Sequence, residues 1–183
     1  MQLKLVVVLT AFLALAVLGA VEAAETVPEP ADYRAENYRA PVPSTLRGAQ
    51  VIDTDQAELL SKKDDVIFID VYPQAPKPPN LPKSTVWRAP KHETMKGAYW
   101  LPNVGYGVLN PTFTAYFKDQ LTKLTGGDKK KPLVFFCLRD CWMSWNAAKR
   151  ALEWGHEHVL WFPDGTDGWR EWNLPTQMKT PEQ

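Results

Sequence analysis

Leu133-Val134-Phe135-Phe136 is a continuous apolar run of strand length, bounded by lysines and Pro132 on one side and a cysteine on the other. An apolar run without polar alternation suits a strand buried on both faces, as in a parallel sheet covered by helices. Ser144 to Leu152, close behind it, is alanine-rich with helical spacing, and Ser144 suits its cap. Between strand and helix stand the only two cysteines, Cys137 and Cys141, with Trp142 directly after. The carboxyl end of a parallel strand, facing a helix amino end, is where open α/β sheets place their sites. Backbone N–H groups and the helix dipole there favour an anion, including a thiolate.

The remaining chain supplies the other layers of such a fold. Gln50 to Ile52 reads as a short strand, Asp53 or Thr54 as a cap, and Ala57, Leu59 and Leu60 as a short helix ending at Ser61 to Lys63. Val66 to Val71 is a second continuous, β-branched strand, so the helix between implies a parallel βαβ unit. Gly97 to Pro102 reads as a turn leading into a further short strand. Phe113, Tyr116, Phe117, Leu121 and Leu124 form a helical stripe that Gly126-Gly127 terminates. Gly155 stops the helix after the cysteines, and His158 to Phe162 is another strand. Pro163 to Gly168 reads as a turn, Asn173-Leu174-Pro175 closes the domain, and the polar tail reads as loose.

Tyr72 to Lys96 shows no periodicity and carries six prolines between Pro73 and Pro90. Connections of this length inside a domain are often functional. Lys77, Lys83, Arg88, Lys91 and Lys96 face only Glu93, so the loop is a solvated basic stretch or a positive rim for an anion. The whole chain balances 21 basic against 21 acidic side chains, which argues against nucleic acid as a partner.

Residues 1–24 read as a secretion signal: Lys4, an apolar Leu5 to Gly19, then Val21-Glu22-Ala23 as a small-residue cleavage pattern. The expected product is exported, periplasmic, and without a stable membrane span. Residues 25–48 form an extended proline-containing arm, 49–177 the domain, and 178–183 a polar tail. In an oxidising compartment a nearby cysteine pair tends to the disulfide unless something keeps it reduced. Two cysteines are too few for a four-thiolate zinc site or a disulfide scaffold, and no metal set is expected; His156-Glu157-His158 resembles one only superficially.

Several motifs together resemble the rhodanese-like domain, over roughly Gln50 to Gln177. Ile69-Asp70-Val71 is similar to the strand that ends in Asp-Val-Arg, with Tyr72 in the arginine's place. Met95-Lys96-Gly97-Ala98 with Leu101-Pro102 is similar to the His-Ile-Pro-Gly-Ala segment. Val134 to Cys137 resembles the strand that delivers the active-site cysteine, and Asp164-Gly165, Trp169 and Leu174-Pro175 the closing pattern. Cys137 to Ala151 resembles, more narrowly, an exported bacterial group described as CxxCW-motif proteins associated with PQQ-dependent catabolism. Here three residues separate the cysteines. The resemblance implies an α/β fold with about five parallel strands and helices on both faces. It also implies Cys137 as the position that carries a persulfide.

Three uses of the pair follow. In the first, Cys137 is the nucleophile and Cys141 the resolving thiol of a sulfur-transfer or thiol-redox centre. Arg139, Trp142, Ser144 and Asp70 are its candidate substrate-binding residues. Arg139 favours the thiolate, Asp140 opposes it, and Asp70 hydrogen-bonds loop backbone. The substrate is a small anion or sulfane-sulfur compound, and the partner a periplasmic thiol-redox protein. In the second, the scaffold is an accessory or redox-cofactor-binding partner of a quinoprotein dehydrogenase, with PQQ as the associated cofactor and Trp142 and Trp145 as an aromatic face. In the third, Cys137–Cys141 is a structural disulfide.

Overall fold

The computed structural model describes residues 27–88 and 90–183; the signal segment expected at 1–24 lies outside the described residues. The strands expected at 66–71, 133–136 and 158–162 form as β2 (Ile67–Asp70), β5 (Leu133–Phe136) and β6 (Val159–Phe162), every residue buried. With β1 (Gln50–Val51) and β4 (Tyr99–Trp100) they make a five-stranded sheet of order β1-β6-β5-β2-β4, parallel throughout.

Alternation along each strand divides the core in two. Leu133, Phe135 and Trp161 face one side, against Phe117 and Leu121 of α2 (Pro111–Thr125) and Trp145, Ala147 and Ala148 of α3 (Trp142–Glu153). Val134, Phe136 and Phe162 face the other, against Ala57 of α1 (Thr54–Ser61) and Trp169 of α4 (Gly165–Glu171). Helices therefore cover both faces. Local signals set their ends: Asp53 and Gln56 form a capping box on α1, and Asn110 caps α2, which Gly126 ends in the left-handed conformation.

Four local expectations are corrected. The stretch Tyr72–Lys96 is not wholly irregular, because β3 (His92–Met95) pairs antiparallel with β7 (Thr176–Lys179), making a separate two-stranded sheet. The tail expected to be loose is tied down by that pairing, and the Glu182 amide donates to the Trp100 carbonyl at 3.0 Å. The turn expected at 163–168 instead starts α4. Ser144 does not cap α3: Cys141 stands at the cap position, and Ser144 lies buried in the first turn, its hydroxyl donating to the Cys141 carbonyl at 3.0 Å.

The arm from Val27 to Gly48 lies on the domain, along α3. Asn146, fully buried, accepts from the Arg34 amide at 3.0 Å and donates to the carbonyls of Arg34 and Gly105 at 2.8 and 2.9 Å. The indoles of Trp142 and Trp145 donate to the carbonyls of Pro41 and Thr45. Among the described residues no helix is long and apolar enough to cross a membrane.

His156, just beyond α3, is buried with Nε2 3.0 Å from Lys129 Nζ. Burial, then the neighbouring lysine charge, lowers its pKa to about 4. The folded state thus holds this imidazole neutral where the unfolded chain would protonate it. Its stabilising contribution is full above the unfolded value near pH 6.5 and is lost as pH falls toward about 4. His156→Leu is expected to flatten the thermal-stability profile over that interval; an unchanged slope of Tm against pH would count against it.

Candidate functional site

Cys137 follows β5 directly and Cys141 precedes α3, so strand and helix together set both ends of the loop. The two are joined as a disulfide, with Cα atoms 6.1 Å apart. A loop this tight needs one residue in the left-handed region, and Asp140 takes it at φ 52°. Aspartate tolerates that conformation better than most residues. Both cysteines are enclosed, Cys137 at 0% and Cys141 at 3% exposure.

Two elements hold the loop from opposite sides. From α4, the Thr166 amide and hydroxyl both donate to the Cys137 carbonyl, at 2.9 and 3.2 Å, and the Asp167 carboxylate accepts from the Arg139 amide at 3.0 Å. From the arm, Arg39 bridges Cys141, the Ala40 amide donates to the Asp140 carbonyl, and the Trp142 amide donates to the Tyr38 carbonyl. The arm thus uses one of the α3 amides that would otherwise face an anion.

Arg139 is held by acidic side chains of α4 and its cap. Its guanidinium makes a two-pronged contact with Glu171, at 2.6 and 2.7 Å, and lies 3.7 Å from Asp164. Those hydrogen bonds hold the guanidinium in its charged form and lower the Glu171 carboxyl. Trp142 and Trp145 meet edge-to-face at 5.5 Å, but at 2% and 0% exposure they present no open aromatic face. Arg34 of the arm stacks over Trp142 at 5.3 Å. Ser144 accepts from the Trp161 indole at 3.0 Å beneath the loop. Of the expected site residues, Cys137, Cys141, Trp142 and Ser144 come together, while Arg139 belongs to the α4 side.

Asp70, at the end of β2, is fully buried and accepts three hydrogen bonds. They come from the Tyr72 amide at 2.8 Å, the Thr94 hydroxyl at 2.6 Å and His92 Nε2 at 2.7 Å. The backbone bond is the one expected of a strand-end aspartate; His92 and Thr94 are not in the sequence-derived site. The signal for them is their spacing of two, which places both on the same face of β3. The His92 ring stacks parallel to Tyr72 at 4.9 Å and tilted on Trp100 at 4.5 Å. It lines a cavity of about 370 Å³ at the carboxyl ends of β2 and β4, which Leu138 of the cysteine loop also lines.

The sequence matches no protein-family model and no curated protein sequence. Solved structures do resemble it. A double cysteine-to-alanine variant of EanB in complex with hercynine aligns at TM-score 0.50 and 20% identity, over 78% of this chain and 34% of that one. A second EanB variant with hercynine aligns at the same TM-score and identity. The fold is rhodanese-like. The chain spans about a third of the EanB chain. The 30 kDa polysulfide-sulfur transferase homodimer from Wolinella succinogenes aligns over 71% of this chain and 79% of that one, at 20% identity and TM-score 0.42.

Proposed function

We propose that Cys137 and Cys141 are a two-thiol centre for sulfur transfer in an exported rhodanese-like protein. The observation that carries this reading is the disulfide joining the end of β5 to the start of α3. As a staple it gains little: closing so short a loop contributes only about 2 kcal/mol by chain entropy. As a reaction product it has a direct origin. The Cys137 thiolate takes a sulfane sulfur from a persulfide donor, which leaves as its thiolate. The Cys141 thiolate then attacks Cys137 Sγ, hydrosulfide leaves with the transferred sulfur, and the disulfide forms. Two electrons from a dithiol protein restore the thiols. The placement beside PQQ-dependent alcohol oxidation, with a quinoprotein dehydrogenase as partner, rests on the sequence resemblance of Cys137 to Ala151.

Mass spectrometry of reduced protein exposed to polysulfide tests the order of events. Cys141→Ser is expected to retain one extra sulfur atom on Cys137. Wild type should release hydrosulfide and return to the disulfide, and Cys137→Ser should do neither. Enclosure of both sulfurs favours a second reading, a structural disulfide. That reading stands if the pair resists a thioredoxin-type dithiol and Cys141→Ser acquires no sulfur.

A further inference from the structure

The cavity beside the cysteine loop is a built site that the thiol chemistry does not use. It lies outside the carboxyl ends of parallel strands, between the start of the long proline-rich connection and its return into β3. Its base is polar and fixed. Asp70 can only accept as a carboxylate, so the pattern has Tyr72 N–H, Thr94 Oγ1 and His92 Nε2 all donating to it. His92 is 8% exposed, yet its ring lines the cavity, held between Tyr72 and Trp100. With Nε2 committed to Asp70, Nδ1 is the ring atom left for a ligand.

The charges around the opening favour an anion. Arg170 and Glu93 are paired at 2.8 Å and offset one another, with Glu93 also accepting from Thr176. Lys91 makes no ion pair among the described residues and lines the same cavity. Leu138, Tyr72 and Trp100 supply an apolar wall. The connection that borders the cavity carries the basic surplus seen in the sequence.

We infer that this cavity binds a small organic carboxylate, its charged end at His92 and Lys91 and its apolar body against Leu138, Tyr72 and Trp100. Concave, partly apolar sites with a few fixed polar groups are the usual form of such sites, and about 300 Å³ suffices for a small molecule. A neutral ligand of the same shape would leave Lys91 without a partner, and a bodiless anion would leave the wall unfilled.

Benzoate is the probe, titrated into the full chain and followed by calorimetry and by the histidine ring signals, of which the protein has three. Benzoate is expected to bind with Kd on the order of 1 mM, as its size allows. Benzamide and sulfate should each bind about 10-fold more weakly. The His92 ring signals should shift, while those of His156 and His158 stay in place. His92→Gln should weaken benzoate about 10-fold and Lys91→Gln about 3-fold, the latter with a shallower salt dependence. If His92→Gln fails to fold, Lys91→Gln and the wild-type ring signals carry the test, since an Asp70–His92 pair serving only to anchor β3 would show neither response. The inference is overturned if benzamide equals benzoate, if the His92 signals do not move at saturation, or if no binding occurs by about 20 mM.

Discussion

Gly165→Ala is expected to destabilise the protein by about 3 kcal/mol or more, and to do so at the cysteine loop. Gly165 has φ +54°, where a side chain is already strained. A Cβ there would stand 2.3 Å from the Cys137 carbonyl oxygen and 2.8 Å from its carbon, both backbone atoms of the residue directly after β5. The clash could be relieved only by withdrawing α4 from the loop, which would break the Thr166 bonds to the Cys137 carbonyl. Gly127→Ala is the control: its φ of +83° carries the conformational cost, with nothing within 4 Å. That cost is about 1 kcal/mol. Urea denaturation of both variants should therefore differ by about 2 kcal/mol. Equal losses would mean that α4 does not fix the loop. Because Thr166 and Asp167 both bind it, Gly165→Ala should also change the rate at which the disulfide is reduced.

How much of this was legible in the sequence depended on range. β5 and β6 carry their burial on both faces as unbroken apolar runs, and β2 as one that ends in Asp70, so strand character was written locally. The α2 stripe and its Gly126 stop were equally local. The β3–β7 pair was not, since His92 meets Lys179 across nearly half the chain and both strands are largely polar. A lone polar strand has no apolar alternation to mark it, and its pairing partner decides its state. α4 was hidden by its Asp-Gly-Thr-Asp-Gly composition, which reads as a turn until packing of Trp169 stabilises a helix.

The site divides the same way. Two cysteines alone in a chain, between a strand and a helix, stand out as a candidate site. Asp70 was visible as a strand-end acceptor, but its chief partners belong to the strand that composition conceals. Arg139 beside the cysteines invited an anion-binding role, whereas Glu171 on α4 takes both prongs of its guanidinium. The aromatic face at Trp142 and Trp145 was lost to an arm about 100 residues earlier in the chain.

That arm underlies the second large effect: Asn146→Ala is expected to speed reduction of Cys137–Cys141 by roughly 30-fold. The sulfurs are enclosed, so a reductant must wait for a local opening, and the arm is the element whose lifting uncovers Cys141. Asn146 is the fully buried clip that holds it, through both backbone groups of Arg34 and, on the domain side, the Gly105 carbonyl. Truncating the side chain leaves those groups without their partner and costs about 2 kcal/mol. If that cost falls mainly on the closed state of the arm, opening becomes about 30 times more frequent, since 1.4 kcal/mol is about a factor of ten. The measurement is the pseudo-first-order rate of reduction by dithiothreitol, alongside global stability from urea unfolding. A global loss of about 2 kcal/mol without faster reduction would mean that the sulfurs are reached from the α4 side. Faster reduction in Asn146→Ala, with sulfur release speeding in step, would make lifting of the arm the step that admits the substrate in the proposed cycle.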